Sequence, residues 1–262
     1  MKIYKACAKV NIFLKITGTR DQYHEIVSRF MKIPALYDEL SFVPKESEKF
    51  EIIGNFNCKT EQNTIYKAYI ALKEYTKSES LTKLMRNYGV HVKKNIPSFA
   101  GLGGGSSDAA TFLKMCNEVL HLGLSKHELA QVGAKVGADV PFFVYDYDSA
   151  NVSGIGEIVE KFDEEVLELE IFTPKIEIST PLVYKTYREL FFKPIDGFKA
   201  DELKHMKSRD ILKTFSIDDA NDLFKPAVHN YPELKKHFKH GYFFSGSGSS
   251  FFYMKEVKDI NG

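Results

Sequence analysis

The run PSFAGLGGGSSDAA, Pro97 to Ala110, gathers the residues of this chain best suited to holding an anion: glycines at 101, 103, 104 and 105, then Ser106 and Ser107. Glycine adopts backbone conformations closed to other residues and lets a bulky group approach the main chain. Upstream, Val90 and Val92 alternate with His91 and Lys93 as in a half-buried strand, and Lys94 to Ser98 leads the chain out of it. Downstream, Ala110, Leu113, Asn117 and Leu120 recur at helical spacing, with Leu113 and Leu120 forming the apolar face. A glycine loop that opens a helix offers unpaired N–H groups and the positive end of the helix dipole, with the Ser106 and Ser107 hydroxyls as further donors. Phosphate is the ligand such a loop suits. A linker or a tight turn is the competing reading of glycine and serine clusters, and the amphipathic helix directly after this one argues against it. No lysine follows the last glycine as a GxxxxGK[ST] loop requires, and Ser106 stands where GxGxxG needs its third glycine.

Other polar residues stand where plain packing does not call for them. Lys9 and Asn11 alternate on one face of an otherwise apolar strand, KACAKVNIFLKI, and need a polar partner there. SKHELAQVGAKVG opens with a capping-box pattern, Ser125 and Glu128, and ends at Gly137, so Asp139 falls at a turn just past a helix. Read alone, Asp139 is a turn or cap residue. Thr180 before Pro181 reads as a helix N-cap followed by proline. Near the end, FSGSGSSFF offers Gly246 and Gly248 for another close main-chain approach, although a hairpin turn explains it equally. Lys93 and Lys94 can steer an anionic ligand or simply end a solvated strand.

The elements that position these residues alternate along the chain. The first sixty residues are mostly extended. NTIYKAYIALKEYTK then sets Ile65, Tyr69 and Leu72 on one helical face, with Asn63 or Thr64 as cap. Strand patterns return in VSGIGEIVEKF and LELEIFTPKIEIS, and residues 192–220 read as a charge-rich helical surface. A soft boundary is expected near residue 150, giving domains 1–150 and 151–262. The grouping argues for an α+β fold.

A chain of 262 residues can bury a sizeable core, and a net charge of +1 gives no footprint for nucleic acid. No apolar run approaches a membrane span and no leader pattern is present, so a cytoplasmic protein without a membrane partner is expected. Cys7, Cys58 and Cys116 suggest neither a disulfide framework nor a zinc site.

The segment Pro97 to Ala110 resembles the central motif of the GHMP kinases, small-molecule kinases whose loop reads approximately PxxxGLGSSAA. The expanded run GLGGGSSDAA, together with AKVNIFLKITGTRDQYHEI (Ala8–Ile26), GADVPFFV (Gly137–Val144) and FSGSGSSFF, is similar to the branch that phosphorylates a cytidine diphosphate-linked methylerythritol. Gln22 stands where that branch has glycine and Ser247 where it often has threonine. The resemblance implies a two-lobed GHMP fold, with an N-terminal lobe like ribosomal protein S5 domain 2 and a ferredoxin-like C-terminal lobe. It implies ATP held by Lys94, Pro97, Ser98, Phe99, Ala100, Gly101, Leu102, Gly103, Gly104, Gly105, Ser106 and Ser107, and Mg²⁺ without an identifiable ligand cluster. Lys9 and Asp139 become the catalytic pair. Asn11, Tyr23, His24, Asp139, Thr180, Tyr184, Gly246, Ser247 and Gly248 become acceptor-binding, with Tyr23 and Tyr184 sandwiching the cytosine ring and His24 reading its edge. The alternatives are a GHMP kinase for mevalonate or homoserine, or a catalytically silent nucleotide-binding protein, and either a monomer or a homodimer is compatible. The chain ends at Gly262, short for that branch, so a trimmed terminal lobe is expected.

Overall fold

Two long strands, β1 (Tyr4–Arg20) and β2 (Tyr23–Pro44), pair antiparallel and set the frame of the molecule. A computed structural model describes residues 2–56 and 58–255; residues 256–262, on which the expectation of a trimmed lobe turns, lie outside the described residues. The centre of β1, Ala8 to Leu14, is buried on both faces, which is why its pattern reads apolar rather than cleanly alternating. Register shifts at Cys7/Ala8 and Asn11/Phe13 bracket Lys9 and Asn11. Such bulges re-aim side chains beside sites.

After the short β3 (Ile52–Ile53) come two capped helices. Asn63 accepts from the Ile65 amide at the start of α1 (Thr64–Thr76), and Ser78 from that of Leu81 at the start of α2 (Glu79–Asn87). Strand β4 (Tyr88–Lys93) leads through the glycine loop to α3 (Gly104–Val119), with Leu120 one residue beyond the helix end. The expected capping box opens α4 (Lys126–Ala134), which ends before Gly137, and α5 (Val140–Tyr145) follows directly on Asp139. Then β5 (Ser149–Gly154) and β6 (Ile158–Lys161) complete a six-stranded sheet of order β3-β4-β2-β5-β6, with β1 also on β2. β2 is long enough to share one edge, residues 26–31 with β5 and residues 39–44 with β4.

The remainder builds a smaller sheet and a helical layer. β7 (Leu169–Phe172) precedes α6 (Thr180–Thr186), α7 (Gly197–His205), α8 (Ser208–Thr214), α9 (Ile217–Ala220) and α10 (Phe224–Asn230). β8 (Phe243–Phe244) and β9 (Phe251–Met254) pair across the FSGSGSS turn, and β9 also pairs with β7. Of LELEIFTPKIEIS only Leu169–Phe172 is strand. The mixed helix-and-sheet expectation holds.

The boundary near residue 150 does not fall between sheets. β5 and β6 belong to the first sheet, so the break between sheets lies between Lys161 and Leu169. Residues 192–220 are likewise more than a surface. One face of the first sheet packs on α1, α3, α4 and α5 through Phe30, Leu40, Phe112, Leu113 and Phe142. The other face, carrying Val10, Ile12, Val27 and Met31, is covered by Ala200, Leu203, Ile211 and Leu212 from α7 and α8. Arg29 of β2 fastens that layer: its buried guanidinium donates to Asn151 Oδ1 at 2.7 Å and to the Lys204 carbonyl at 2.8 Å, pairs with Glu164 at 3.2 Å, and lies 3.4 Å from the Phe162 ring centroid. Among the described residues, no helix is long and apolar enough to cross a membrane.

Candidate active site

The two glycine-rich turns meet. Gly101 and Gly103 have φ of +73° and +72°, and a Cβ on Gly101 would sit 2.0 Å from the Ser245 carbonyl oxygen. Only glycine lets the loop press against the Ser245–Ser250 turn here. Gly103 caps α3, and a Cβ on it would meet the Phe143 ring at 2.7 Å and Lys9 Cε at 3.2 Å. Its missing side chain thus makes room for protein rather than ligand. Gly104 and Gly105 are simply the first helical residues, so the left-handed freedom foreseen for all four glycines is used at two. The amides of Gly104, Gly105 and Ser106 have no acceptor within the helix, as in every first turn. Gly104 and Gly105 border a cavity of about 1020 Å³, lined by Gly101 to Gly105 on one side and by Tyr23, His24 and Tyr184 on the other. That is at the upper end of the ~300–1,000 Å³ usual for ligand pockets.

Lys94 leans over the start of α3 between two carboxylates. Its Nζ donates to Asp38 and, at 2.7 Å, to Asp108 Oδ2. Asp38 also accepts from the Asn95 and Ile96 amides, at 2.5 and 2.8 Å, so it is fully engaged through both oxygens. Asp108 is not: its Oδ1 is buried without a partner. Burial, opposed by Lys94 and reinforced by the Asp38 charge, pushes the Asp108 carboxyl up to about 7, while the two carboxylates outweigh burial and raise Lys94. Lys94 thus serves two carboxylates, and Asp108, with one oxygen unpaired, is the less completely matched of them. Because the folded state holds the Asp108 proton more tightly than the unfolded chain, this group stabilises relative to the ionised form at low pH. That contribution is lost as pH rises from about 4, the unfolded value, to about 7. Asp108→Asn carries no such proton, so the difference in melting temperature should move in the variant's favour across that interval and level off above it. A difference independent of pH, measured by thermal denaturation from pH 4 to 8, would overturn the assignment.

Between the two walls stand Lys9 and Asp139. Lys9 is 3% exposed; its Nζ donates to Asn11 Oδ1 at 2.6 Å and the Gly101 carbonyl at 3.2 Å, and lies 3.3 Å from Asp139 Oδ2 and 4.4 Å from the Phe30 ring centroid. Asp139 precedes α5 in sequence, yet its side chain caps no amide of that helix. It is free to face the cavity, which it lines. A lysine and a carboxylate held at the seam of two glycine turns can neutralise phosphate and accept a proton within one site.

The far wall is aromatic. Tyr23 is exposed at the mouth, and His24 is buried with its ring 5.1 Å from that of Tyr184 and 5.8 Å from that of Tyr187. Burial, with the Arg188 charge adding, holds the His24 imidazole below its ordinary value, and its Nε2 has no partner among the described residues. Burial also raises the Tyr184 phenol, with Asp139 adding. Both rings are neutral near pH 7, suited to stacking and edge hydrogen bonds rather than proton transfer. Thr180 is the first residue of α6, not its cap; Ser179 holds that position, and the Thr180 hydroxyl instead meets Ser247 Oγ at 2.6 Å.

Residues 63–147 match the family described as GHMP kinases N terminal domain. The 4-diphosphocytidyl-2-C-methyl-D-erythritol kinase of Sulfurimonas denitrificans is 66% identical over 264 residues, covering 99% of each chain. The chain belongs to the 4-diphosphocytidyl-2-C-methyl-D-erythritol kinase family. A crystal structure of 4-(cytidine 5'-diphospho)-2C-methyl-D-erythritol kinase, 29% identical, superposes with a TM-score of 0.72 over 97% of this chain and 90% of that one. The mevalonate kinase of Methanococcus jannaschii, 16% identical, superposes at 0.59 over the same shares and speaks for the fold alone.

For a chain of this kinase family the cavity brings together most residues singled out by sequence: Lys9, Asn11, Tyr23, His24, Lys94, Pro97 to Gly105, Asp139, Thr180, Tyr184, Gly246 and Ser247. Ser106, Ser107 and Gly248 do not line it. Ser107 is buried and its hydroxyl donates to the Cys7 carbonyl at 2.7 Å, so it anchors α3 to β1 instead of offering a proton to phosphate. A Cβ on Gly248 would meet the Phe244 ring at 2.1 Å, so this glycine serves packing. Asn11 lines the cavity with its amide largely spent, Oδ1 on Lys9 and Nδ2 on Ser28 at 3.0 Å; it orients the lysine more than it greets a ligand. Sequence reasoning missed Asp38, Asp108 and Arg188. For Asp108 a signal existed, a carboxylate on the apolar face of SSDAATFL.

Proposed function

We propose that this chain transfers the γ-phosphoryl group of ATP to the 2-hydroxyl of 4-diphosphocytidyl-2-C-methyl-D-erythritol, a step of the non-mevalonate isoprenoid route. The observation that carries this reading is the placement of Lys9 and Asp139, 3.3 Å apart, between the glycine-loop wall and the wall of Tyr23, His24 and Tyr184. Bound ATP supplies the phosphoryl group and Mg²⁺ offsets phosphate charge. The fit is to a metal that arrives on the nucleotide: among the described residues, no cluster of three His, Cys, Asp or Glu gathers to hold one, and Mg²⁺ tolerates few protein ligands.

The α3 amides and Lys94 hold the triphosphate. Asp139 accepts the hydrogen bond, and then the proton, of the acceptor hydroxyl, and Lys9, 3.3 Å from that carboxylate, opposes charge on the transferring group. Tyr23 and Tyr184 stack on cytosine, neutral His24 offers its unpaired Nε2 to the base edge, and Thr180 with Ser247 borders the acceptor chain. A two-lobed division, with lobes like ribosomal protein S5 domain 2 and ferredoxin, and a cytoplasmic location belong to the same reading.

A coupled ADP-release assay on the cytidyl compound, free methylerythritol, mevalonate and homoserine tests it. The cytidyl compound should be strongly preferred; comparable turnover of mevalonate or homoserine overturns the proposal. Tyr23→Ala and Tyr184→Ala should each cost about 1–3 kcal/mol of acceptor affinity, the range of aromatic–base stacking, with phenylalanine better tolerated and ATP affinity unmoved. Unchanged acceptor affinity in calorimetry would remove the stacking role.

A further inference from the structure

The acceptor proposed above carries a diphosphate, and the cavity's buried cations are already matched. Lys9 faces Asp139, and Lys94 lies between Asp38 and Asp108. Lys185 at the rim comes within 3.9 Å of Glu189. Arg188 is the cavity-lining cation with no carboxylate partner among the described residues. It stands on a wide π-helical turn, Tyr187–Phe191, that continues α6 beyond Thr186. Its Nη2 donates to the Tyr23 carbonyl at 3.3 Å, which places the guanidinium beside one aromatic of the far wall. Its charge also reaches the other side of that wall, since it disfavours protonation of His24.

A guanidinium with its other donors uncommitted among the described residues is suited to phosphate, because the planar fork matches two oxygens at once. Its position is equally telling. Arg188 lines the same cavity as Tyr23, His24 and Tyr184 and touches the Tyr23 carbonyl, so a diphosphate joined to a base held there comes within its reach, whereas Lys94 lies over the start of α3. We propose that Arg188 binds the diphosphate of the acceptor and so selects the nucleotide-linked alcohol over the free one. This inference rests on the acceptor reading of the preceding section.

The test titrates wild type, Arg188→Gln and Arg188→Lys with cytidine and with cytidine 5'-diphosphate, and follows turnover of the cytidyl acceptor. Arg188 is exposed, so the variants should fold. Loss of a charge-assisted hydrogen bond should weaken cytidine 5'-diphosphate binding to Arg188→Gln roughly ten-fold or more while cytidine binds as to wild type. Arg188→Lys should fall between. KM for the acceptor should rise with kcat and the ATP KM nearly unchanged, and added salt should weaken cytidine 5'-diphosphate binding more in wild type than in Arg188→Gln. Equal losses for cytidine and its diphosphate would reduce Arg188 to a prop for Tyr23 and overturn the proposal, as would no loss for either. If wild type itself turns over no cytidyl acceptor, the functional reading falls and this inference with it. If wild type is active and Arg188→Gln binds the diphosphate normally, the Arg188 assignment alone fails.

Discussion

Asp139→Asn is expected to lower kcat by about 10²-fold or more, with the ATP Michaelis constant and the melting temperature little changed. The substitution keeps the size of the side chain and removes its charge and most of its basicity. Asp139 caps no helix amide, so the backbone has little reason to respond. Lys9 would keep the Asn11 and Gly101 acceptors and lose only the carboxylate at 3.3 Å. A group acting mainly in the transition state gives this pattern: turnover falls and ground-state nucleotide binding does not. Lys9→Met should depress kcat as well and also unsettle the site, since Lys9 joins β1 to the glycine loop through the Gly101 carbonyl. Steady-state kinetics with calorimetric ATP titration checks both. Near-normal turnover in Asp139→Asn would remove this carboxylate from the mechanism.

What could be read from sequence, and what could not, follows from how local each feature is. The glycine loop, its helix, the capping box at Ser125 and Glu128, and the Asn63 cap are settled within a few residues, and pattern suffices for them. Lys9 and Asn11 stood out because polar residues in a strand buried on both faces must be answered by something. What answers them is distant in sequence: Asp139 and Gly101 for Lys9, Ser28 for Asn11. The same distance hid the commitment of Ser107 to the Cys7 carbonyl and the orphaned oxygen of Asp108. It also hid the architecture after residue 150. β5 joins the first sheet by pairing with β2, a strand more than a hundred residues earlier, β6 follows on β5, and the charge-rich stretch after residue 192 hides a sparse apolar stripe that covers the back of that sheet. Counting charges there overstated its exposure, because a helix needs few apolar residues per turn to bury one face.

The close contact of the two glycine turns leads to the remaining large effect, that of Gly101→Ala. At φ +73° an alanine already costs on the order of 1–3 kcal/mol, and its Cβ would lie 2.0 Å from the Ser245 carbonyl oxygen and 3.1 Å from the Gly248 nitrogen. Both neighbours are backbone, so no rotamer change relieves them and one turn must move. Overpacking of this kind adds about 1–3 kcal/mol, which makes a total loss of about 2–6 kcal/mol the expectation. The movement cannot stay local, because the Gly101 carbonyl accepts from both Lys9 Nζ and Ser245 Oγ, the latter at 2.9 Å. Turnover should therefore fall more than ten-fold together with stability. Gly105→Ala is the contrasting variant. Gly105 is helical, and its Cβ would press on the Thr64 hydroxyl at 3.3 Å, a group that donates to the Gly105 carbonyl and must shift by a few tenths of an ångström, so stability should change little beside Gly101→Ala while a methyl group beside the first-turn amides weakens ATP binding. Chemical denaturation and ATP titration of the two variants separate the roles. If Gly101→Ala is as stable as wild type, the two turns are not packed as described; if Gly105→Ala binds ATP normally, the first turn of α3 is not where the phosphates lie.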